Sequence, residues 1–393
     1  MQTFLDDIAD ELLKSGSNDF SDHCIVLPNR RAGVFLRDSI AKKSSKAIWA
    51  PDIISIEDFL FNLSPYVKAD QSTLLFAFYE IYEKRAKDPQ TIELFANWAP
   101  VYLSDINELD LNLLDAQDVF AQLHSIERIK KWNPSTGKET EFQKRHLDFV
   151  EQFFPFYLAL REFLMSKKIG YQGMAFKHVA ENVEDVISSS IWKEVWFAGF
   201  NALTISEERI LEAWKNSGKA KLFWDMDEFY VNDSIHEAGH YVRNYLSGQA
   251  DLKLDKGFHW LGSRLSNESK EVCLIPAQRN IAQARIAGSI LTEKIAEGAD
   301  VLTNTAVILN DEQLLLPLLG SLPTSLNGVN ITMGYGLENS QSAVFIENVF
   351  SLYSQSGKGG GFHHALVERI ESDPFFQLLN GTSVMMDRPN RFY

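Results

Sequence analysis

The 393-residue sequence predicts an α/β protein: a parallel sheet interrupted by a large helical insertion, with a second strand–helix unit behind it. Three observations carry this. Short apolar runs at Cys24–Leu27, Ile53–Ile56, Glu194–Phe200 and Ala220–Trp224 each adjoin a segment with helical spacing. From Gln71 to about Ser190 nearly every segment has Leu, Phe and Tyr at the spacing of amphipathic helices. Beyond about Asp255 strand-like runs and helical patterns alternate again.

Taken in order, Met1–Lys14 is an amphipathic helix carrying acids. It lacks a basic stretch followed by an apolar one, so it does not read as a secretory signal, and a cytoplasmic protein is expected. Cys24–Leu27 stops at Pro28, turns through Asn29, Arg30 and Arg31, and resumes as a helix with Val34, Phe35, Ser39 and Ile40. A second unit repeats the shape: Ala50-Pro51-Asp52, the run Ile53–Ile56, then a helix through Glu57–Leu60. Within the insertion the polar stretch Trp132–Lys138, with Pro134 and Gly137, reads as an exposed tip. Thr204 and Glu207 form a capping box for the helix after Glu194–Phe200, Gly218 suits its end, and Ala220–Trp224 closes the unit before Asp225. Further strands are expected at Val272–Ile275, Thr305–Leu309 and Val329–Thr332. Helices are expected at Asn280–Glu297, Leu314–Leu322 and Ser342–Tyr353. These strands are too few to complete a second domain comfortably, which is expected to be incomplete or interrupted.

Composition bounds the function. With 45% hydrophobic and 12% aromatic residues the chain can bury more than one core. Its longest apolar runs fall far short of the roughly 20 residues of a membrane span. Cys24 and Cys273, the only cysteines, both lie in apolar runs and are expected to be buried thiols in a reducing compartment. The net charge of −15 speaks against a generally basic nucleic-acid-binding domain, but a large acidic protein can carry one basic groove.

Several constellations are candidates for chemistry. His236, Glu237 and His240 match the zinc-hydrolase pattern H-E-x-x-H. Gly239, the polar residues before it and the lack of a third-ligand motif favour a plain helix start. Ser356–Gly361 is glycine-rich, but Leu352 and Gly359 stand where a phosphate loop needs Gly and Ser/Thr, so it reads as a flexible loop. Gly334 and Gly336 read as turn residues, and Asp225, Asp227 and Glu228 as a solvated acidic turn. Asn29, Arg30 and Arg31 lie at the carboxyl end of a buried strand, where open α/β sheets bind ligands. With Ser55 in the next strand-to-helix turn they form a candidate cradle for a phosphodiester backbone. Their alternative is pairing with surface carboxylates. Phe59 and Trp49 are candidate stacking platforms for bases.

The segment Pro28–Gly33 resembles the motif Ia region of superfamily 1 helicases of the UvrD type, and Ile54–Leu60 resembles the motif Ib segment. Trp196–Trp214 is similar to the strand and helix around motif II, and Ala277–Leu322 to the opening of a second motor domain. The ordered set is most similar to the AddB/RexB-like family of inactivated helicases in bacterial double-strand-break repair. The resemblance implies a degenerate RecA-like domain 1A over residues 1–70 and 191–230, a 1B-like insertion over 71–190, and a 2A-like start over 231–393. Motif I has no counterpart, and Ala198-Gly199 supply none of the carboxylates of motif II, so phosphoryl transfer would lack charge neutralisation. The family's nuclease domain and iron–sulfur cluster have no counterpart after Gly361, and two cysteines cannot hold that cluster. The chain is therefore expected to be an N-terminal part or a truncated member, without cofactor or catalytic residue. Implied partners are single-stranded or duplex-end DNA and an AddA-like helicase–nuclease subunit, with no membrane. A zinc-dependent hydrolase and a protein-interaction module without DNA binding are the alternatives.

Overall fold

The computed structural model describes residues 3–123, 148–254, 261–297, 305–326, 328–355 and 361–379. They form two compact units, residues 1–269 and 270–393. The first is an α/β unit on a four-stranded, all-parallel sheet; the second is described after it.

Helix α1 (Phe4–Leu13) opens on a capping box between Thr3 and Asp6, as its acidic first turn favours. Strand β1 (His23–Leu27) follows, then α2 (Arg30–Lys43), β2 (Asp52–Ser55) and α3 (Ile56–Leu63). After the helical insertion the chain returns as β5 (Glu194–Ala198), in register beside β1, with β6 (Ala220–Phe223) outside it. The strand order is β2-β1-β5-β6, so the chain leaves β1 first to one side and later to the other. That reversal makes the carboxyl ends of β1 and β5 a topological switch point.

Both faces of the sheet are covered, which explains the unbroken apolar runs. Ile25, Leu27, Trp196, Ala198 and Phe223 pack with Ile8, Leu12, Leu36 and Ile40 of α1 and α2. Cys24, Val26, Val195 and Phe197 face the other way, onto Phe59, Leu60, Ile210, Leu211 and Trp214. Each fully buried Val, Leu, Ile or Phe among them contributes about 1.5–3 kcal/mol.

The insertion begins at β3 (Val67–Lys68) and continues as α4 (Gln71–Arg85), α5 (Ile92–Phe95), α6 (Ala99–Leu111) and α7 (Ala116–Leu123). It ends with α8 (Phe153–Lys167), β4 (Ile169–Gly170), α9 (Gln172–Glu181) and α10 (Val183–Ser189). Its core is aromatic: Phe78 stacks on Tyr102 at 4.8 Å and meets Phe95 at 5.0 Å. This core is continuous with the second face of the sheet. At Gly173 of α9 an added Cβ would lie 2.3 Å from the Asn107 carbonyl of α6, so only glycine permits this approach. Beneath it, fully buried Asp110 accepts from Tyr157 at 2.7 Å, Tyr171 at 2.6 Å and Lys177 at 3.0 Å, with Arg161 at 3.3 Å. Burial, then the Asp110 carboxylate, raises the phenol pKa of Tyr157 and Tyr171.

Helix α11 (Ile205–Asn216) carries the expected Thr204–Glu207 capping box, and Gly218 behind it has φ +73°. Residues 226–267 stay with the first unit: β7 (Met226–Asp227), α12 (Glu228–Asn232), α13 (His240–Ser247), β8 (Leu261–Gly262) and α14 (Arg264–Asn267). The compact-unit boundary thus falls at 269/270.

The second unit, among its described residues, is helical: α15 (Asn280–Glu297), α16 (Leu315–Leu319), α17 (Gln341–Ser354), α18 (His364–Glu371) and α19 (Pro374–Leu379). Helix α15 keeps its expected bounds and approaches Ser321 so closely that a Cβ on Gly288 would sit 2.1 Å from the Ser321 carbonyl. The three expected strands are corrected. Val272–Ile275, Thr305–Leu309 and Val329–Thr332 pair with no strand among the described residues, and Val272, Leu274 and Ile308 are exposed. A short apolar run becomes a strand only with a neighbour to bond it. Cys273 is accordingly exposed, against expectation, whereas Cys24 is buried and burial pushes its thiol pKa up. No described helix is long and apolar enough to cross a membrane. The tip at 132–138, residues 356–360 of the glycine-rich loop, and His259, which follows the H-E-x-x-H pattern beside Trp260 without forming a third-ligand motif, lie outside the described residues.

Candidate nucleic-acid interface

The parallel register pairs Leu27 with Ser55, so the turns leaving β1 and β2 lie side by side at the carboxyl edge of the sheet. Asn29 is extended, at φ −148° and ψ 158°, and its Oδ1 accepts from the Ala32 amide at 2.9 Å, capping α2. Ser55 does the same for α3: its Oγ accepts from the Asp58 amide at 3.2 Å and donates to Asp58 Oδ2 at 2.6 Å. Two helix N-termini, with their first-turn amides and partial positive charge, therefore open at one edge.

Arg30 and Arg31 sit on the first turn of α2 in different environments. Arg30 bonds Asp58 through Nε at 2.8 Å and through Nη2, a two-point pair whose guanidinium side is 77% exposed. Arg30, against the opposing effect of burial and aided by Ser55, holds the Asp58 carboxyl down to about 2, and Asp58 in turn raises Arg30. Arg31 has no carboxylate partner among the described residues, and its guanidinium lies 5.9 Å from the centre of the Phe35 ring. Behind this turn Gly33 packs tightly on β2, its Cβ position 3.2 Å from Ile53 Cγ2, and Arg37 bonds the Ile53 carbonyl. That fixes the angle at which α2 leaves the sheet.

Asn29, Arg30, Arg31 and Ser55 are thus brought together, with divided roles. Ser55 is 4% exposed and committed to Asp58, so it shapes the turn from beneath instead of facing solvent. The proposed aromatic platforms are corrected. Phe59 is fully buried between Trp192 at 5.4 Å and Phe197 at 5.5 Å. Trp49 is 74% exposed but bridges Asp19 ahead of β1 and β2, at the opposite edge of the sheet. Phe35, part of the expected helical pattern, is 50% exposed beside Arg31, because α2 buries Gly33, Leu36, Ser39 and Ile40. The i, i+4 spacing of Arg31 and Phe35 was the available signal.

The other constellations resolve locally. Glu237–Gly239 form a single 3₁₀ turn and α13 begins at His240, so His236 and His240 do not share an α-helix. The His236 ring packs against Phe229 at 5.3 Å and Tyr230 at 5.1 Å. Arg243 fastens the segment by bonding the carbonyls of Tyr230 and His236, both at 2.7 Å. Asp227 caps α12 and also accepts from the Leu265 amide at 3.0 Å. Asp7, Asp225 and Asp227 border a crevice of about 560 Å³ beyond β5 and β6, where burial and then Asp7 act to raise the Asp225 pKa against Arg264. No group of three His, Cys, Asp or Glu among the described residues is arranged to hold a metal ion. After β5 the turn Ala198-Gly199-Phe200-Asn201 carries no carboxylate, and Tyr245 Oη fastens it by donating to the Asn201 carbonyl at 3.0 Å.

No protein-family model matches the chain, and no curated protein matches it either.

Proposed function

We propose that the chain is a non-catalytic, RecA-like DNA-binding and scaffolding module of the AddB/RexB-like kind, gripping single-stranded or duplex-end DNA for an AddA-like helicase–nuclease subunit. The observation that carries this reading is the pair of capped helix N-termini at the carboxyl edge of a parallel sheet, with Arg30 and Arg31 on the first turn of α2. Phosphate binding needs positioned donors and positive charge, and no reacting group. Arg31 makes the direct phosphate contact, and Phe35 offers a ring on which a base can stack. Asn29 and Ser55 set the two helix starts. Arg30 is held by Asp58 and reaches phosphate by exchanging that partner.

Binding of a fluorescent single-stranded oligonucleotide across a salt series tests the proposal. Affinity should fall steeply with salt, and the double variant Arg30→Ala/Arg31→Ala should bind more weakly with a shallower slope. Equal binding by wild type and double variant at low salt would overturn the DNA-grip reading.

A further inference from the structure

A cavity of about 490 Å³ lies between α3, α4, α6 and α9. Leu74, Leu75, Pro100 and Leu103 supply its apolar walls, while Gln71, Ser104, Asn107 and Gln172 bring neutral polar groups to it. Its charged lining residues, Glu57 and Lys68, neutralise each other at 2.6 Å. Asn107 spends its Oδ1 on the Gly173 amide at 2.7 Å, which leaves its amide donors. Gln71 and Gln172 make no side-chain hydrogen bond among the described residues, so each keeps a donor and an acceptor.

This chemistry excludes an ion and favours a flat, uncharged ring. Apolar walls meet ring faces, and side-chain amides carry both donors and acceptors, as the edge of a nucleobase does. The volume lies within the roughly 300–1,000 Å³ of small-molecule sites and exceeds what one bicyclic ring needs. Glu57 also precedes Asp58, the residue holding Arg30, in the first turn of α3. The cavity therefore begins one residue from the phosphate cradle.

We propose that this cavity is a binding site for one uncharged heteroaromatic ring of the nucleobase type. The pocket's affinity for the ring stands by itself; delivery of that ring by a bound DNA strand rests on the function proposed above.

The test uses the full chain and 2-aminopurine, both as the free nucleoside and as one residue within an oligothymidylate. The variants are Ser104→Trp, which fills the cavity from an exposed position of α6, and Gln71→Leu, which removes an amide from the start of α4. Thermal unfolding checks that each variant is folded. The wild type should change the emission of both probes. Either folded variant should weaken nucleoside binding by about tenfold, a loss of about 1.4 kcal/mol. No emission change from the nucleoside with wild type, or wild-type affinity in both folded variants, overturns the proposal. Nucleoside binding without oligonucleotide binding sustains the pocket and removes the DNA grip. Arg31-dependent oligonucleotide binding, with no nucleoside signal and no effect of the cavity variants, does the reverse.

Discussion

Arg30 and Arg31 are adjacent in the chain, yet among the described residues only Arg30 is held by a carboxylate, and this separates their behaviour. Arg31→Ala should shallow the salt dependence of single-strand binding by roughly 0.7 in log–log slope, the share of one phosphate contact. Asp58→Asn should do the opposite to affinity: releasing Arg30 from its pair strengthens binding at low salt, which an oligonucleotide titration measures. Asp58 also links stability to pH. Its folded pKa of about 2 lies below the roughly 3.9 of an unfolded aspartate, so the unfolded chain binds more protons between those values. The contribution is complete above about pH 4 and is lost as pH falls through about 2. The difference in melting temperature between wild type and Asp58→Asn should shrink over that window, and a difference that grows on acidification would refute it. Asp58 is partly exposed, so solvent screening keeps the effect small.

At the level of elements, α6 and α9 meet in a close joint of the helical insertion. Gly173→Ala drives a methyl group into the Asn107 carbonyl and should cost at least about 1–3 kcal/mol in denaturant unfolding. Removing the buried Asp110 carboxylate, as in Asp110→Ala, leaves Arg161 and Lys177 without their counter-charge and should cost about 3–5 kcal/mol. Elements differed in how far their sequences disclosed them. The strands β1 and β5 were legible because burial on both faces makes every residue after His23 and Glu194 apolar. The phase of α2 was not: Val34 and Phe35 are as apolar as Leu36 and Ile40, and the close approach of Gly33 to Ile53 decides which stripe faces inward. The parallel pair Val67-Lys68 with Ile169-Gly170 is too short to leave a periodic signal. The strands expected after residue 270 failed for a related reason, since a four-residue apolar run does not reveal whether a neighbour exists. The Asn29–Arg31 turn and Ser55 could be read from residue types at strand ends, but the engagement of Ser55 and Arg30 by Asp58 depends on β1 and β2 being neighbours.

For the whole molecule, the two cysteines report separately on the two compact units. In native protein one thiol, Cys273, should react with an aromatic disulfide reagent, while Cys24 waits for unfolding of the sheet. Reaction of both at the same native rate would contradict the burial of β1. The same experiment across a denaturant series measures the opening of the first unit alone, because its reporter lies in the central pair of strands.

The pairing of β1 with β5 also sets an order of events during synthesis. Cys24 finds one neighbour, Asp52, almost at once, but its other neighbour, Val195, is made only after the whole helical insertion. Until then one edge of β1 is open and apolar, a template for unwanted strand pairing at translation speeds of about 5–20 residues per second. The nascent chain is therefore most exposed to misassembly in that interval, and closing this long loop makes completion of the sheet a late step of folding.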